Sequence, residues 1–138
     1  MSPYSPLKQI EQELLATNKL NINNLLHYMR ESGFYIQSCH RHHRYRGGLA
    51  DHALQTMRFA LYQWNQDKAS GNQAALDTSR ESIVFAALLH DLCDVHGQFR
   101  MDGHGRKSAW VIKQLEVPLS LQEFLAIRFH MSLRGKES

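Results

Sequence analysis

Apolar residues recur along this chain at the three- and four-residue intervals of a helix, and the breaks between these segments carry helix caps. Ser5-Pro6 places a cap before a proline in the first turn, with Ile10, Leu14 and Leu15 following as a stripe. Asn21 stands as a cap ahead of Ile22, Leu25, Leu26 and Met29, and Gly33 ends that segment. Leu49, Ala53, Met57, Ala60, Leu61 and Trp64 mark a third helix from residue 49 to about 67. The polar stretch QDKASGNQAALDTS reads as a surface loop with room for a short helical turn.

Thr78 followed by Glu81 forms a capping-box pattern ahead of SIVFAALLH. That run is apolar on every side, as the central helix of a bundle must be. A strand is the rival because of Ile83, Val84 and Phe85, but the cap and the alanines favour a helix. After the glycine-rich break HGQFRMDGHGR, Ala109, Trp110, Ile112 and Leu115 trace another amphipathic helix. Pro118 and a second box, Ser120 to Glu123, open the last one, with Leu121, Phe124, Leu125 and Ile127. The pattern predicts an all-α helical bundle spanning residues 1–138 as a single domain, without repeats or low-complexity tracts.

Composition narrows the function classes. With 43% hydrophobic and 21% charged residues, the chain reads as an ordinary globular protein. No apolar stretch approaches a membrane span, and MSPYSPLKQIEQELL lacks a signal peptide's apolar core, so a cytoplasmic protein without membrane contact is expected. Cys39 and Cys93 show no paired spacing, which argues against a disulfide framework. A net charge of +3 and one short basic cluster argue against nucleic acid as a partner. The nine histidines direct attention to metal binding and acid–base chemistry instead.

In AALLHDLCDVHG, an apolar run ends in His90 and Asp91. A carboxylate at the end of a buried helix needs compensation, because losing its water shell costs several kcal/mol or more. A salt bridge, a helix cap and a metal ion are the candidates. His52 lies just after Gly47-Gly48, beside the apolar stripe of the third helix. Packing the two helices side by side would bring two imidazoles and a carboxylate together. Adjacent helical residues diverge by about 100 degrees, yet both reach one ion placed beside the helix end.

RYRGGLADHAL, AALLHDLCD, GHGRKSAWVI and EFLAIRFHM follow one another in this order. Over about residues 40–131 the chain thereby resembles the HD-domain metal-dependent phosphohydrolase superfamily, in particular its small bacterial members. The resemblance implies an HD-type helical bundle in which His52, His90 and Asp91 bind a divalent metal. A mixed set of imidazole and carboxylate suits Fe(II), Mn(II), Ni(II), Co(II) or Zn(II), with Mg(II) also admissible. The resemblance also implies a phosphorylated small molecule or nucleotide as substrate. His104 and His130 match positions that bind a second metal or meet substrate phosphate in binuclear relatives, and either would be placed to protonate a leaving oxygen. Their alternative roles are to cap a helix start and to pack beneath an apolar helix. Taken alone HRHHRYR reads as a solvated basic loop, but beside such a site Arg44 and Arg46, and Arg106 and Lys107 at a helix start, would bind phosphate through charged donors and backbone amides.

Two departures from the family pattern bear on activity. The pattern closes with an aspartate on a later helix, whereas Glu137 is the one carboxylate after His130. The closing ligand is therefore missing, truncated away, replaced, or supplied by a neighbouring subunit, which would make the protein a homo-oligomer. Asp94 stands where many relatives carry lysine, either helping to hold a cation or solvating the helix end. The leading reading is a metal-dependent phosphohydrolase acting on a nucleotide or related phosphoester. The alternative is a catalytically degenerate HD module that keeps a nucleotide or phosphate ligand. In a third reading, an interaction protein, the histidines only pack.

Overall fold

Ser5 opens the first helix as its cap pattern predicts. Its extended backbone lets the side-chain oxygen accept the Lys8 N–H at 3.4 Å, and Pro6 fills the first position of α1 (Pro6–Ala16). The computed structural model describes residues 5–38, 45–92 and 104–128, and no strand occurs among them. The remaining helices are α2 (Ile22–Glu31), α3 (Gly48–Ala69), the single turn α4 (Gln73–Leu76), α5 (Arg80–Leu89), α6 (His104–Gln114) and α7 (Leu121–Arg128). None of these is long and apolar enough to cross a membrane.

The centre of the bundle is α5. Every residue from Val84 to Leu89 is buried, Phe85, Ala87 and Leu89 completely. A helix without a polar face needs neighbours on all sides, and α3, α7 and α1 supply them. Leu14 of α1, Leu25 and Met29 of α2, Leu54 of α3, Ile112 of α6 and Ile127 of α7 join the same core.

Several local expectations are corrected. The cap of α5 is Ser79, whose extended backbone lets its Oγ accept the Ser82 N–H at 3.1 Å. Thr78 instead donates its hydroxyl to the Ala74 carbonyl at 2.7 Å, closing the turn of α4. Asn21 precedes α2 in the left-handed region without capping it, because its amide donates across the bundle to the Glu116 carbonyl at 2.8 Å. α3 runs on to Ala69, so the polar stretch begins inside it, and α4 is the short turn within the remainder. Trp110 does not join the buried stripe of α6: it is 61% exposed, while Ser108, Ala109 and Ile112 form the inward face.

Two devices fix the helices that matter for the site. Gly47 has φ of 85° and turns the chain into α3, donating its N–H to Ile36, while Leu49 donates to Gln37. An added Cβ there would meet the Tyr35 carbonyl oxygen at an ordinary 3.5 Å, so the positive φ rather than space requires glycine. At the other side, Ser120 and Glu123 form the reciprocal box at the head of α7. The Glu123 carboxylate also accepts from Lys19 at 2.6 Å and Ser82 at 2.7 Å, tying α7 to α5 and to the α1–α2 connection.

Candidate metal centre

α3 and α5 pack side by side and bring His52, His90 and Asp91 together. His52 sits in the second turn of α3 and is 4% exposed. His90 is the C-cap of α5, still with helical backbone angles, and is completely buried. Asp91 is the next residue and is 7% exposed. The two Nε2 atoms converge on one carboxylate oxygen: Asp91 Oδ2 lies 3.1 Å from His52 Nε2 and 2.9 Å from His90 Nε2. The rings approach with centroids 5.4 Å apart.

The ring of His90 is held from its other edge. Its Nδ1 lies 2.7 Å from the Ala87 carbonyl oxygen, one turn back on α5. A carbonyl only accepts, so Nδ1 carries a proton, and in the neutral ring Nε2 presents its lone pair. A lone pair and a carboxylate oxygen at 2.9 Å repel unless a proton or a cation lies between them. Ligands about 2.1 Å from a tetrahedral ion stand about 3.4 Å apart, so separations of 3.1 and 2.9 Å put these donors within reach of one ion. One donor atom from each of the three residues lies within 4.8 Å of the others. The donor set fits a divalent cation, and the Ala87 carbonyl supplies the partner that orients a ligating imidazole.

α6 supports the same point from below. Ser108 is completely buried and donates its hydroxyl to the His90 carbonyl oxygen at 3.1 Å. At the head of α3, the Tyr45 hydroxyl donates to Asp51 Oδ2 at 2.6 Å, one residue before His52. Sequence reading quoted Ser108 only as part of a motif and missed its role. Its phase with Ala109 and Ile112 was the available signal.

The other expected site residues are placed less fully. Arg46 and Lys107 are exposed. Arg44 and His130 lie outside the described residues, as do Asp94 and Glu137. His104 and Arg106 belong to the first turn of α6, but their side chains lie outside the described set.

The geometry is accompanied by a family match: the model of the HD domain matches residues 49–137. The chain belongs to the HD-domain family. This span includes the three clustered residues and α5, the helix around which the bundle is built. Comparisons with curated proteins and with solved structures give no significant match.

Proposed function

We propose that this HD-domain protein is a metal-dependent phosphohydrolase acting on a nucleotide or a related phosphoester, with His52, His90 and Asp91 holding its divalent ion. The observation that carries this reading is the convergence of two buried imidazole nitrogens and one buried carboxylate oxygen where α3 packs against the end of α5. Three protein donors leave positions open for water and substrate, as a catalytic site requires. A bound divalent ion would lower the pKa of water and polarise a phosphoryl oxygen.

The chain's own residues supply the remainder. The hydrogen bond to Ala87 keeps the His90 Nδ1 proton away from the site, so that Nε2 is the nitrogen turned toward an ion. Arg46, exposed on the segment leading into α3, and Lys107, exposed in the first turns of α6, with Arg44 and Arg106 beside them in sequence, balance charge on the phosphoryl oxygens. His104 or His130 delivers a proton to the leaving oxygen.

The test is turnover of a panel of phosphomonoesters and nucleotides by untagged protein loaded with Fe(II), Mn(II), Ni(II), Co(II), Zn(II) or Mg(II) in turn. Metal-dependent release of phosphate that is lost in Asp91→Ala supports the reading. Tight nucleotide binding without turnover under every metal would replace it with the ligand-binding module.

A further inference from the structure

Opposite the buried stripe of α6, the described residues leave a face of the helix open. Trp110 is 61% exposed there, and Leu121 at the head of α7 and Leu20 before α2 are 73% and 71% exposed. With Phe124 they line a groove of about 720 Å³ that runs along α6 and its connection to α7. Isolated exposed leucines are common, but large side chains gathered in one recess mark a contact surface.

Two opposite charges line the same recess. Lys113 and Glu116 are both exposed, and neither forms an ion pair among the described residues. Glu116 adds a second anomaly. It follows the C-terminus of α6 in the left-handed region, with φ of 62°, where glycine or asparagine is the usual occupant. Asn18 and Asn21 meet the same demand with asparagine. A charged, exposed residue kept in a conformation that disfavours it points to a role for its side chain outside the fold of the single chain.

We infer that this groove is the interface between two copies of the chain, packed about a two-fold axis. In such an interface each patch meets its own copy, so a surface carrying both Lys113 and Glu116 is self-complementary: each lysine faces the partner's glutamate. Trp110, rigid and central, fills the partner's groove and is the anchor. The contact bears on the candidate metal centre without belonging to it. Ser108, on the inward face of α6, bonds to His90, so holding α6 from outside steadies the support of the site.

Sedimentation equilibrium on the full chain tests this. A monomer–dimer equilibrium at micromolar concentration is expected. Trp110→Glu should yield monomer with unchanged helical circular dichroism, since the side chain lies outside the core. Lys113→Glu and Glu116→Lys alone should each weaken the dimer about tenfold through like-charge contact, and together should restore it. Glu116→Gly, introduced into the Trp110→Glu monomer, should raise its Tm by relieving the left-handed strain, while in the otherwise wild-type chain it weakens the dimer. A wild-type chain that stays monomeric at every concentration overturns the inference. So does a dimer indifferent to Trp110→Glu, or one that the double charge exchange fails to restore.

Discussion

His90 Nδ1 lies 2.7 Å from the carbonyl oxygen of Ala87, so α5 both ends at a candidate metal ligand and orients it. The C-terminal carbonyls of a helix lack intrahelical partners, and here one of them fixes an imidazole tautomer. Nitrogen-detected NMR of the metal-free protein at alkaline pH should show His90 protonated at Nδ1 and bare at Nε2. The opposite tautomer would remove the orienting role assigned to Ala87.

Ser108 holds the backbone of His90 rather than its ring, so its effect on an ion is indirect. Ser108→Ala should weaken divalent-metal binding about tenfold, as loss of an outer partner of a metal ligand does. Isothermal titration with Mn(II) or Zn(II) reads the change. Circular dichroism of the variant should remain that of the folded bundle.

Three protein ligands hold an ion less firmly than four, so bound metal should be stripped readily by chelator. Dialysis against EDTA followed by elemental analysis is the check. Restored binding on adding divalent ion should accompany any phosphoester turnover.

Glu123 gives the fold a pH dependence of known sign. Burial raises its carboxyl pKa, but hydrogen bonds from Lys19, the Ser120 backbone and the Ser82 hydroxyl, with the charge of Lys19, outweigh burial and lower it below 4.5. A carboxyl with a depressed folded-state pKa contributes stability that is complete above its unfolded value and is lost as pH falls through the folded value. Glu123→Gln should therefore cost about 1–2 kcal/mol near neutral pH. The gap from wild type, read by urea denaturation, should close in acid.

Phe85 is completely buried on α5, with the Lys19 ammonium 4.7 Å from its ring centroid. Phe85→Ala should destabilise the bundle by about 3–5 kcal/mol, measured by the same denaturation.

The sequence showed its helices most clearly where burial alone decides, as in the all-round apolar run of α5. The convergence of His52, His90 and Asp91 was legible from two motifs once α3 and α5 were packed together. What escaped depended on contacts across the chain. Asn21 looks like a cap, yet its amide is drawn to Glu116, far along the sequence. Thr78 and Ser79 both qualify as caps, and the close of α4 engages the threonine. Trp110 stands out of phase with Ala109 and Ile112 on α6, so its exposure follows from the helical period, but the residues bounding its recess come from α7 and from before α2. Periodicity within one helix carries no information about such neighbours.

The central claim is that these three side chains hold one ion, and elemental analysis of untagged protein measures it directly. Wild-type protein supplied with divalent metal should carry up to one ion per chain. His90→Ala combined with Asp91→Ala should carry none while remaining helical, because the buried charge leaves together with its cation. Metal content unchanged in that double variant would contradict the account, since the ion would then be bound elsewhere.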